Sequence, residues 1–90
     1  MDTQDFEMQL RANGFTEVLT RELPPGYFLG DHEHPFDARA LILSGDITLT
    51  VDGAARTYQA GTVFELGAGC VHQERAGDAG VTYLVGRRAA

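Results

Sequence analysis

The chain has no lysine, no tryptophan, one cysteine and only three histidines in 90 residues. Each shortage excludes something. Seven arginines carry all the fixed positive charge against thirteen acidic residues, which leaves a net charge of −6. The arginines are scattered apart from Arg87-Arg88, which reads as a solvated tail. An acidic chain without a basic stripe is a poor match for nucleic acid or an anionic membrane. The lone Cys70 has no internal disulfide partner, so cysteine usage does not point to an oxidising compartment. No segment approaches the roughly 20 apolar residues that span a bilayer. The opening "MDTQDFEMQL" lacks the basic and apolar regions of a signal peptide. The expectation is a cytoplasmic protein with neither nucleic-acid nor membrane partners.

Glycine, by contrast, is plentiful, with eleven residues. Frequent glycine predicts many turns and short strands. The first segment, about residues 2–13, reads as a short helix capped by Asp2 or Thr3, with Phe6, Leu10 and nearby Met8 on its apolar side. Asn13-Gly14 is a natural stop. That helix is expected to cover one end of a β-fold. About eight short β runs follow, separated by turn signals at Pro24–Gly26, Gly45, Asp52-Gly53, Ala60-Gly61, "GAG" and "GDAG". The run "DITLTV" alternates Ile47, Leu49 and Val51 with polar residues, which gives one buried face. Asp52-Gly53 is a hairpin signal. The spacing leaves no room for crossover helices, so it predicts an all-β antiparallel sandwich or barrel. A single domain over 1–90 is expected, with the barrel over about 17–86. Most aromatics, Tyr27, Phe28, Phe36, Tyr58, Phe64 and Tyr83, are expected in its core, with Phe36 the best placed to line a pocket.

Two of the three histidines stand one residue apart. Alternate strand residues face the same side, so His32 and His34 project together and Glu33 points away. Two imidazoles so placed can share one metal ion at about 2.0–2.1 Å each. His72 follows a glycine-rich turn in a different strand, and a closed sheet can bring it alongside. Cys70 has the same parity as His72, and so does Glu74.

Here the sequence resembles the cupin superfamily. Its first motif carries a glycine, a His-x-His, a glutamate or glutamine and a further glycine. This chain offers Gly30, His32, His34 and Gly45 in that layout. Its second motif carries glycine, proline, glycine, histidine and asparagine. This chain offers Gly61, Gly67 in the proline place, Gly69, His72 and Ala76 in the asparagine place. The resemblance covers about Glu17 to Val85. It implies a small antiparallel β-barrel of the double-stranded β-helix or jelly-roll type, with a short N-terminal helix. It also implies a divalent metal held by His32, His34 and His72, and turns at Gly45 and Gly61. Iron, zinc, nickel, copper and manganese all suit such a site, so its identity stays open.

One departure stands out: the usual carboxylate or amide ligand falls at Ala38, which cannot bind metal. Asp37 could replace it only if the strand bulges, and Glu74 is a second substitute or an outer partner. No residue is assigned as catalytic, and whether the protein is an enzyme stays open. The resemblance implies either a metal-dependent enzyme of oxygenase or isomerase type acting on a small organic substrate, or a non-catalytic module that binds or senses a small molecule. A homodimer is expected, because the edge strands of so small a barrel need cover.

Overall fold

The computed structural model describes residues 2–90. The chain forms a helix, α1 (Thr3–Ala12), and six strands: β1 (Glu17–Leu23), β2 (Phe28–His32), β3 (Phe36–Val51), β4 (Ala54–Gln59), β5 (Val63–Leu66) and β6 (His72–Ala89). Among the described residues, no helix is long and apolar enough to cross a membrane.

β3 and β6 run antiparallel along most of their length and bend together. Beyond the bend, the early part of β6 pairs with β2 and with the later part of β3, which also carries β4. The later part of β6 pairs with β1 and with the early part of β3, which also carries β5. Two packed sheets thus share two long strands, and the core lies between them. The sequence segments expected as separate strands on either side of Gly45 and of "GDAG" are continuous. Those glycines make bulges, not chain reversals: the β3–β6 register slips between Ile42 and Ser44 and again between Gly45 and Ile47.

The bulges do something that turns would not. A bulge changes which face each following residue occupies. Before it, Ala38, Ala40 and Ile42 of β3 point into the core; after it, Ile47 and Leu49 do. On β6 the inward set passes from His72, Glu74 and Ala76 to Val81, Tyr83 and Val85. Gly45 has φ +72, and a Cβ there would overlap the Gly80 carbonyl. The Asp52-Gly53 hairpin is as expected: both residues have positive φ and join Val51 directly to its partner Ala54.

α1 lies against the outer sheet face and does not plug an end of the barrel. Phe6, Leu10 and Phe15 bury against Leu41 and Leu84, which alternate with the inward residues of β3 and β6. Met8, expected beside them, is 69% exposed. Asp2 accepts the Gln4 N–H at 2.9 Å and caps the helix. Asp2→Ala should therefore lower stability by about 1 kcal/mol in denaturant titrations; an unchanged midpoint would mean that packing alone starts the helix. Phe28 is another departure from expectation, being half exposed beneath the Arg75 guanidinium.

Candidate metal centre

The site begins with a bulge. Leu29 pairs with Glu74 and His32 with His72, so β2 spends one residue more than β6 between the two pairs. The extra residue turns His32 inward, directly opposite His72, with ring centroids 4.1 Å apart. Gly69, at φ +76, makes the turn before β6, and its N–H donates to the His34 carbonyl at 2.9 Å. The loop carrying His34 is thereby tied to the turn that launches His72. The His34 ring stacks on Phe36 at 4.9 Å.

His32, His34 and His72 converge with Glu74, their ligand-type atoms all within 4.8 Å of one another. Glu74 Oε1 stands 3.3 Å from His32 Nε2 and 3.6 Å from His72 Nε2. Ligands held at about 2.0–2.1 Å on tetrahedral corners stand about 3.4 Å apart, so these spacings are those of one coordination shell. Asp37 is not part of the group. β3 has no bulge at that point, and Asp37 faces outward, accepting from Ala68 N at 2.9 Å and from Arg88 Nη2 at 2.9 Å. Those two contacts, the backbone one first, hold its carboxyl below the usual range. Ala38 is buried. Cys70 stays in the turn, outside the cluster.

The imidazole tautomers follow from the hydrogen bonds. His32 Nδ1 is 2.8 Å from the Gly30 carbonyl and His72 Nδ1 is 2.9 Å from the Cys70 carbonyl. A carbonyl only accepts, so each Nδ1 carries a proton, and the Nε2 of each ring is the atom turned toward Glu74. His32 Nε2 lies within hydrogen-bonding distance of Glu74 Oε1, and His72 Nε2 lies just beyond it. His72 Nε2 and Glu74 Oε2 are buried and have no hydrogen-bond partner. Such orphans are rare in folded proteins and call for an ion or a ligand. Burial first, then the His32 and His72 imidazoles, hold His34 below the ordinary histidine value, so His34 favours the neutral, ligating form. The four residues fit a divalent metal.

Beside the cluster lies a cavity of about 30 Å³, room for about two waters. His34, Glu74, Phe36, Tyr83, Arg21 and Arg87 are among its lining. Phe36 thus lines the pocket as expected. Arg21 sits on the inward face of β1 between Leu19 and Leu23, where only apolar residues would suit a plain core. Arg87 is part of β6, not a free tail, and stands opposite Ala38. Arg88 is also fastened, to Asp37 and to the Asn13 carbonyl. Sequence reasoning missed Arg21, Arg87 and Tyr83 as pocket residues; the parity of Arg21 within "LTREL" was the available signal. Burial and then the Glu74 charge push the Tyr83 phenol up to about 12. Subtracting the ultraviolet titration of Tyr83→Phe from that of the native protein should isolate one step near that value. A difference centred near 10, the ordinary tyrosine value, would contradict the buried, Glu74-facing placement.

Comparison with known proteins agrees with this fold. A cupin-domain family model matches residues 19–85. No curated protein matches significantly. Several solved structures do. A protein of unknown function from Rhizobium leguminosarum bv. viciae 3841 superposes with a TM-score of 0.76 at 18% identity, over 81% of this chain and 69% of that one. The DMSP lyase DddQ from Ruegeria pomeroyi DSS-3 gives 0.71 at 25% identity, over 80% of this chain and 37% of that one. A cupin protein from Bacteroides fragilis gives 0.66 at 25% identity, over 81% of this chain and 64% of that one. The chain therefore spans little more than a third of the lyase. With more than half its length matched by the family model and its two-sheet barrel shared with these structures, the chain belongs to the cupin-domain family.

Proposed function

We propose that this protein binds one divalent metal through His32, His34, His72 and Glu74, and that a small organic molecule binds beside that metal inside the barrel. The carrying observation is the convergence of the three imidazoles on Glu74, with His72 Nε2 and Glu74 Oε2 buried and without a hydrogen-bond partner. Glu74 supplies from β6 the negative charge that Ala38 cannot supply from β3, and so partly neutralises the ion. A metal held there would polarise a carbonyl or enolate oxygen of the bound molecule.

The chain's own residues do the rest. Gly30 and Cys70 carbonyls fix two imidazole tautomers, and such orientation by outer partners raises ligand basicity. Phe36 holds the His34 ring and shields one side of the cavity. Tyr83 remains a protonated donor at physiological pH. The binding or sensing reading is favoured over turnover by one feature: among the described residues Glu74 is the one carboxylate lining the cavity, and metal binding would occupy it. Asp37, the other carboxylate weighed for the site, faces elsewhere. We propose a cytoplasmic homodimer as the working form.

The test is a calorimetric titration of chelator-stripped protein with zinc, nickel, manganese and iron(II). One equivalent bound per chain supports the reading. Binding absent for all four, with the fold intact by circular dichroism, refutes it.

A further inference from the structure

Among the described residues, the lining of the cavity is apolar except at His34 and Glu74 of the metal cluster and at three donors: Arg21, Arg87 and Tyr83. Arg21 Nη1 donates to the Tyr83 hydroxyl at 3.3 Å, which leaves the phenolic hydrogen free to point elsewhere. Arg21 has no ion-pair partner among the described residues. Arg87 lies over the Phe36 ring at 4.7 Å and reaches only Glu17, by Nη1 at 3.2 Å. Glu17 is 69% exposed, and ion pairs with exposed groups are worth little and exchange easily. Two guanidiniums on a pocket wall of a chain with net charge −6 are not explained by general surface charge. Arginine suits this place because its planar fork matches a carboxylate bidentately.

Ala38 adds space where it matters. It stands directly opposite Arg87 across the β3–β6 ladder and lines the same cavity. The side chain that would extend toward the metal from that position is a single methyl. We propose that the cavity binds a small organic carboxylate, its head group held by Arg21, Arg87 and the Tyr83 hydroxyl, and its carbon skeleton set against Phe36, Phe64 and Leu66. The inference deepens the reading above and rests on it for the metal's place beside the anion. The apolar wall favours a carboxylate over sulfate or phosphate, which have no carbon body to bury. The cavity's size restricts the ligand to a few heavy atoms.

The test uses three molecules of nearly one shape and different charge: acetate, acetamide and acetamidinium. Each is titrated calorimetrically into the native full chain, zinc-loaded and zinc-free, with sulfate as a fourth probe. Acetate should bind at least tenfold more tightly than the other three. Arg21→Gln and Arg87→Gln should each weaken acetate at least tenfold while changing zinc affinity less than about threefold. Arg87→Lys should recover part of the loss, as a charge without the fork. Unchanged circular dichroism and zinc affinity show that the variants fold. Equal binding of acetate and acetamide, tighter binding of sulfate, or acetate affinity indifferent to both arginines overturns the carboxylate pocket. A protein that takes zinc but not acetate overturns this inference and leaves the metal reading standing. A protein that takes acetate through the arginines but no zinc overturns the metal reading and supports the pocket.

Discussion

His72→Ala should weaken zinc binding by more than about a hundredfold. Losing a hydrogen-bond partner one shell beyond the metal already costs about 10- to 100-fold, and His72 contributes a ligand atom itself. Its Nε2 is buried and without a partner, so in the free protein only the Nδ1 bond to the Cys70 carbonyl rewards the ring's polarity. The apo variant should therefore be nearly as stable as native apo-protein: the cavity left by the ring offsets relief of an unpaired buried group worth about 1–3 kcal/mol. The difference appears with metal present. Zinc at a hundred times the native Kd should stabilise the native protein by about 2.7 kcal/mol, and a variant with hundredfold weaker binding by only about 0.4 kcal/mol. Glu74→Gln keeps the shape and removes the charge, and should also lose affinity. Asp37→Asn should not, because that carboxylate faces Ala68 and Arg88. Thermal shifts with and without zinc measure all three. Equal shifts for native and His72→Ala proteins would contradict the coordination proposed here.

Gly45→Ala should be the most damaging small substitution in the barrel, costing about 3 kcal/mol or more. Two causes add. Holding a side chain at φ +72 costs about 1–3 kcal/mol. The new Cβ also overlaps the Gly80 carbonyl, a backbone atom that has no alternative rotamer. Relief requires β3 and β6 to separate where both change their inward parity, and these strands carry the core and the cluster between them. A domain of this size has about 5–13 kcal/mol of stability in all, so the midpoint temperature should fall by more than about 12 °C. Gly53→Ala is the control. Gly53 has a similar φ of +77, but nothing stands near its missing Cβ. It should cost about 1–2 kcal/mol, the strain alone. If the two substitutions cost the same, the close approach of β3 and β6 is not what demands glycine at 45.

Both predictions bear on what was legible in the sequence. The histidine trio was legible as a motif, but strand parity does not explain its convergence: β2 ends at His32, a bulge turns that ring inward, and His34 lies in the following loop. The helix, its Asp2 cap and the Asp52-Gly53 hairpin were legible because they follow from local rules. The strand count was not. A glycine at positive φ reads the same whether it closes a turn or opens a bulge, and only pairing with distant strands separates the two. Gly45 and Gly80 were turns by local signal and are bulges because β3 and β6 keep pairing on both sides of them. Arg21 and Arg87 escaped for a related reason: which way they face depends on register with strands far away in sequence. Glu74 was legible as sharing a face with His72, but its distance to His32 depends on the extra residue in β2.

The most direct measurement is X-ray absorption at the zinc edge on protein loaded with one equivalent. Three imidazole nitrogens and one carboxylate oxygen at about 2.0–2.1 Å are the predicted shell, with the imidazole scattering reduced by one ring in His72→Ala. A sulfur at about 2.3 Å, which would place Cys70 on the metal, or a shell with fewer than three imidazoles in the native protein, would contradict the account.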